Sequence, residues 1–159
     1  VEEQQLGTGG GLVNALRIAE SEEVFIVNGD TYFPVSFHDM EETFIREHAD
    51  LVIALHPVRD AGRYGTILLH ENGRIAGFCE KGGEMGRALI NGGIYLMKSQ
   101  LLLSAALPEK FSLETEFLEI KSGEMRFFGR VFKNRFIDIG IPASYHQAQS
   151  FFERNSNEK

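Results

Sequence analysis

The sequence predicts a three-layer α/β sandwich, one mostly parallel mixed sheet with helices over both faces. Three observations predict it. Apolar runs of strand length alternate with amphipathic runs of helix length along the chain. The run Leu51-Val52-Ile53-Ala54-Leu55 is continuously apolar, as a strand covered on both faces must be. One pair of runs, flanking Glu71-Asn72-Gly73, carries the Asn-Gly signature of a tight hairpin. With 159 residues there is room for one domain with a real core. No repeat or low-complexity linker divides it, so residues 1–159 read as a single domain.

The elements follow in order. A glycine loop covers Gly7 to Gly11, and a helix runs from Leu12 to Glu20 with Leu12, Leu16 and Ala19 on one face. Val24 to Val27 is a strand that stops at Asn28-Gly29-Asp30. Phe37 to His48 is helical, with Met40, Phe44 and Ile45 as its apolar stripe. Asp50 to His56 is the buried strand. Tyr64 to His70 and Arg74 to Glu80 form the hairpin. Ala88 to Met97 is a strand interrupted by Gly92-Gly93. Short helices are expected over Ser99 to Ala106 and Leu113 to Lys121, and strands over Arg126 to Phe132 and Phe136 to Ile139. Ala143 to Phe152 closes as a helix, with Pro142 near its first position, where a missing N–H costs nothing.

Composition narrows the function. The formal net charge is −7, which argues against a duplex nucleic-acid binder, since that needs a lysine and arginine stripe. Cys79 is the only cysteine, so neither an intrachain disulfide nor a cysteine-rich zinc site can form. No run approaches the roughly 18 apolar residues of a membrane span, and no stretch reads as a secretory signal. A cytoplasmic location is expected, with no membrane partner. The five histidines show no metal-ligand spacing, and no G-x-S-x-G elbow is present.

Four stretches could carry chemistry. Gly7-Thr8-Gly9-Gly10-Gly11 precedes a helix, where close backbone approach and the helix dipole both suit an anion. It matches neither the dinucleotide pattern, because Leu12 stands where glycine is needed, nor a Walker loop. A plain glycine turn is the competing reading. Asp30 and Asp138 each follow an apolar strand and neighbour a glycine, Gly29 or Gly140. Two such carboxylates can share a hard cation such as Mg²⁺ together with phosphate oxygens, or each can cap a turn. Glu80-Lys81-Gly82-Gly83 pairs an acid with a compact phosphate-binding cation at a strand end, or is a solvated turn. Asn91-Gly92-Gly93 breaks an apolar strand, which marks either close approach of a ligand or a β-bulge.

Taken in this order, the stretches resemble the sugar-1-phosphate nucleotidylyltransferases. "LGTGGGL" resembles the L-G-T-G/A-G loop of that family, "VNGD" its metal motif, "EKG" its E-K-P, "NGGIYL" its N-A/G-G-I-Y and "FIDIGIPASYHQA" its D-I-G-T-P-x-x-Y. The resemblance covers about residues 2 to 153. Within the family, "GRYGTI", "NGGIYL", "KFSLETEFL" and "RFIDIGIP" are most similar to the D-glycero-α-D-manno-heptose 1-phosphate guanylyltransferases, with mannose- and glucose-1-phosphate nucleotidylyltransferases as the alternatives.

The resemblance implies the Rossmann-like nucleotide-diphospho-sugar transferase fold, GTP and a sugar 1-phosphate as substrates, Mg²⁺ as cofactor, and GDP-heptose supply for a bacterial surface glycan such as lipopolysaccharide or capsule. It implies that Asp30 and Asp138 hold Mg²⁺ and are catalytic with Lys81, which binds the sugar phosphate. Glu80, Asn91 and Gly92 would face the sugar. Leu6, Gly7, Thr8, Gly9, Gly10, Asn28 and Gly29 would lie against the nucleotide. Gln5 and Gly82 stand where the family has prolines. The family also opens with a strand and a G-G-x-G-T-R-L triphosphate loop, which are absent between Val1 and Gly7. N-terminal strands are therefore expected to be missing, the isolated chain to be inactive or nearly so, and exposed strand edges to promote homo-oligomers. The reading from another class is a non-catalytic sugar-nucleotide-binding regulatory subunit.

Overall fold

The computed structural model describes residues 4–61, 64–79, 88–140 and 142–156. Its elements are α1 (Gly7–Ala19), β1 (Glu23–Val27), β2 (Thr31–Tyr32), α2 (Phe37–Arg46), β3 (Leu51–Val58), β4 (Thr66–Leu69), β5 (Ile75–Cys79), β6 (Ala88–Lys98), α3 (Gln100–Leu103), a π-helical turn (Glu114–Leu118) running into α4 (Glu119–Lys121), β7 (Phe127–Val131), β8 (Ile137–Asp138) and α5 (Pro142–Ser156). The main sheet has the order β5-β4-β6-β3-β7, and β1 also pairs with β6.

The three layers follow from strict alternation along the strands. Leu51, Ile53 and Leu55 of β3, Tyr95 and Met97 of β6 and Phe127 of β7 share one buried cluster with Leu16 of α1, Leu102 of α3 and Phe117 of the π turn. Val52, Ala54, Ile94, Leu96 and Phe128 point the opposite way, into a cluster closed by Met40 and Phe44 of α2 with Phe33 and Phe132. The continuous apolar run at 51–55 is therefore covered on both faces, as expected.

The expectation of a mostly parallel sheet needs refinement. Among the described residues only β3 and β7 pair in parallel; the other strand pairings are antiparallel. Strand direction explains the difference. β1, β3, β4 and β7 all run one way, and the long β6 is inserted against that direction between them.

Several boundaries move for identifiable reasons. The glycines expected as a loop form the first turn of α1. Gly7 sits at φ +72°, and the positions a Cβ would take on Gly7, Gly9 and Gly10 are filled by Phe111 and the Glu109 carbonyl. Tertiary packing thus overrides the low helix propensity of glycine. Helix α2 stops at Arg46 because a Schellman motif closes it. His48, at φ 47°, donates its N–H to the Ile45 carbonyl, and Ala49 donates to Phe44. Ser36 caps the other end, its Oγ accepting from Asp39 N–H at 3.1 Å. Strand β3 runs on through Pro57, which is tolerated because β7 stops pairing at Leu55 and leaves an edge there. The helix expected over Ser99 to Ala106 shortens to α3, and that over Leu113 to Lys121 opens with the π turn. The hairpin forms as expected, with Gly73 at φ +83° and its N–H on the His70 carbonyl.

Candidate functional site

Beyond β1 the chain turns sharply, Asn28 N–H binding the Gly93 carbonyl at 2.8 Å. It then enters β2, a two-residue strand with no periodic signal to announce it. Its partner is β8, from near the other end of the sequence: Thr31 pairs with Asp138 and Tyr32 with Ile137, antiparallel. Ile139 N–H closes the ribbon onto the Asp30 carbonyl at 3.0 Å.

This ribbon brings Asp30 and Asp138 together. A Cβ placed on Gly140 would stand 3.0 Å from Asp138 Oδ1 and 4.0 Å from Asp30 Oδ2, so both carboxylates face the same point. Gly140 donates its N–H to Asp138 Oδ1 at 2.8 Å, and Thr31 Oγ1 donates to Asp30 Oδ1 at 3.4 Å. A side chain at 140 would fill this space. The donor set, two hard oxygens on separate elements, fits a cation that keeps further positions for phosphate oxygens or water. Among the described residues no group of three or more His, Cys, Asp or Glu gathers to hold a metal.

A cavity of about 640 Å³ opens beside Asp30, between the ribbon and α5. Gly29, Tyr32, Ile139, Tyr145 and Phe152 line it, with nothing within 4 Å of a Cβ built on Gly29. The aromatic wall was not singled out from the sequence. Only Tyr145, inside the last quoted motif, carried a signal.

A second cavity, of about 490 Å³, lies between the hairpin, β6 and the π turn, with Asn91, Thr66, Cys79, Glu114 and Thr115 on its walls. Asn91 is held rigidly: its Oδ1 accepts from Gly93 N–H at 3.0 Å and its Nδ2 donates to Tyr95 Oη at 2.8 Å. Burial, and after it the Glu114 carboxylate, pushes the Tyr95 phenol well above its ordinary range, so Tyr95 stays a neutral donor.

The remaining expected residues lie elsewhere. Gly92 is buried where a Cβ would meet the Phe33 ring and the Ala54 carbonyl, and the register beside it is irregular. The close approach it permits is to protein atoms, which is the bulge reading. The Asn28 side chain lies over Gly93. Leu6 and Gly10 line a separate cavity of about 360 Å³ beside Phe111, and Thr8 hydrogen-bonds Glu114 at 3.0 Å. Glu80 and Lys81 lie outside the described residues.

The chain is 41% identical to a D-glycero-alpha-D-manno-heptose 1-phosphate guanylyltransferase of Aneurinibacillus thermoaerophilus, over 94% of this chain and 64% of the relative. It is 36% identical to the enzyme of that name from Campylobacter jejuni, over 92% of this chain and 63% of the relative. The chain thus spans less than two thirds of these relatives' length. The fold matches the crystal structure of HddC from Yersinia pseudotuberculosis, with TM-score 0.82 and 33% identity over 95% of this chain and 64% of that one. A second crystal structure of HddC, complexed with GMP-PN, matches with TM-score 0.81. The family model described as nucleotidyl transferase covers residues 1–155, and the chain belongs to that family.

Proposed function

We propose that the protein transfers a guanylyl group from GTP to D-glycero-α-D-manno-heptose 1-phosphate, giving GDP-heptose and pyrophosphate. The observation that carries this reading is the pair of carboxylates, Asp30 and Asp138, converging across Gly140. The relatives supply the substrate class: two are named heptose 1-phosphate guanylyltransferases, and more distant ones are named for mannose 1-phosphate.

A sugar-phosphate oxygen attacks the α-phosphorus of GTP in line, the bond to the bridging oxygen breaks, and pyrophosphate leaves. Both reactants are anions, so positioning and charge neutralisation supply most of the acceleration. Asp30 and Asp138 would hold Mg²⁺, which supplies the positive charge that lets two phosphates approach. The short ribbon fixes their separation, and Gly29 leaves open space beside Asp30. Asn91, locked by Gly93 and Tyr95, presents its remaining donor and acceptor capacity to sugar hydroxyls. Lys81 and Glu80 are assigned to the sugar phosphate and sugar by resemblance. The product would serve a bacterial surface glycan, made in the cytoplasm.

The test is pyrophosphate release by the chain extended with its flanking coding sequence, given Mg²⁺, GTP and either heptose 1-phosphate or mannose 1-phosphate. Release with the heptose substrate is expected. Release with mannose alone moves the substrate and keeps the chemistry. A folded protein that binds GDP-sugar and releases nothing would show a binding subunit instead.

A further inference from the structure

Glu114, in the stretch "KFSLETEFL", lines the second cavity beside Asn91 and also reaches the glycine turn that opens α1. Its Oε2 accepts from Thr8 Oγ1, in the glycine turn that opens α1, at 3.0 Å and from Ser112 Oγ at 3.2 Å. Its Oε1 accepts from Tyr95 Oη at 3.4 Å, and Tyr95 in turn takes Asn91 Nδ2 at 2.8 Å. Thr8 Oγ1 also accepts from Leu113 N–H at 2.9 Å, so its proton and one of its lone pairs are committed inside the protein. Glu114 sets its position.

The turn that carries Glu114 is π-helical, a geometry that is rare and recurs at functional sites. The neighbouring Glu116 accepts from Ser112 N–H at 2.7 Å and faces solvent. That bond lies within the segment that carries the turn.

We propose that Glu114 is a positioning residue, one carboxylate that holds the glycine turn on the nucleotide side and Asn91 on the sugar side in a single register. The proposal rests on the transferase reading and adds to it a residue that acts through Thr8 and, by way of Tyr95, Asn91. In-line transfer depends steeply on alignment of two bound reactants, so loss of register lowers turnover more than it weakens either substrate.

The amide of Glu114→Gln cannot accept from Thr8 and Tyr95 at once. In the extended, active protein this variant should lose roughly 10- to 100-fold in kcat. The dissociation constants of GTP alone and of heptose 1-phosphate alone should each move by less than about threefold. Thr8→Val and Tyr95→Phe each cut one arm, and their losses should combine less than multiplicatively, because both act through one carboxylate. Thr8→Ser, which keeps the hydroxyl, should recover most of what Thr8→Val loses. Glu116→Gln, which perturbs the bond to Ser112 N–H, should leave kcat in place while lowering the melting temperature. Turnover within twofold of wild type in Glu114→Gln overturns the proposal and leaves the transferase standing. So does an equal loss of kcat in Glu116→Gln. If Glu114→Gln fails to fold, additive losses in the Thr8 and Tyr95 pair overturn it. A wild-type protein that releases no pyrophosphate overturns the transferase reading and the inference with it.

Discussion

A carboxylate that shares a hard cation loses most of its use when it becomes an amide, because the neutral oxygen is a far weaker ligand. Asp30→Asn and Asp138→Asn should therefore each lower pyrophosphate release by on the order of a hundredfold or more. Their circular dichroism should match wild type, since the ribbon is held by backbone bonds. Near-normal turnover in both would remove the metal assignment. Asp50 does different work. Burial raises its pKa, but the Lys98 ammonium at 2.7 Å and the Arg126 N–H at 3.1 Å outweigh that and hold it below the usual carboxylate range. A folded-state value below the unfolded one means the stabilisation is present above the unfolded pKa, near 4, and fades as pH falls through the folded value. Asp50→Asn should lower stability near neutral pH by about 1 kcal/mol. The gap to wild type should close in acid, as pH falls through the lowered folded-state value. Urea melts across pH check both. Asp30 and Asp138 were legible because each ends an apolar strand beside a glycine. The Asn91–Tyr95–Glu114 network was not, because a buried polar chain is defined by its three-dimensional neighbours, and Tyr95 reads in sequence as one more apolar position.

Among the elements, α1 shows what the glycines do for the fold. A methyl group on Gly10 would collide with the Glu109 carbonyl and the Leu6 side chain, which cannot both retreat without moving the chain. Alanine would ordinarily favour the helix by about 1 kcal/mol. Here Gly10→Ala should instead destabilise, by roughly 1–3 kcal/mol. Gly77→Ala in β5, with nothing within 4 Å, is the comparison and should change far less. Equal effects in denaturant titrations would mean that backbone freedom matters, not space. The sequence carried the existence of α1 but not its start, since propensity puts glycine outside helices and only the packing of residues 109–111 brings it in. β2 and β8 were harder still. At two residues each they are shorter than any period, although Phe136 to Ile139 was readable from its apolar content.

The molecule as a whole is organised around β6, which takes β3 along one side and β4 and then β1 along the other. Local pattern shows that a strand is buried on both faces, but not which way its neighbours run. The direction of β6 was thus invisible, while the sandwich itself was plain. Among the described residues no strand pairs with the outer edge of β1, where Val27 is 53% exposed. Such an edge recruits other chains. The 159-residue chain should self-associate with rising concentration in sedimentation velocity, and Val27→Lys should suppress this. A concentration-independent monomer would show the edge to be harmless. The ribbon has a wider consequence. Asp138 forms one rung with Thr31 and Asp30 directly precedes that rung, the two carboxylates coming from opposite ends of the sequence, while α5 follows Asp138 and packs Phe151 and Phe152 against Tyr32. A cation held by the two carboxylates would be a reversible staple, closing most of the chain into a loop. By linkage, occupancy and docking of the C-terminal helix strengthen each other. Added Mg²⁺ should then slow carboxypeptidase digestion of that helix even without nucleotide, and Asp138→Asn should abolish the protection.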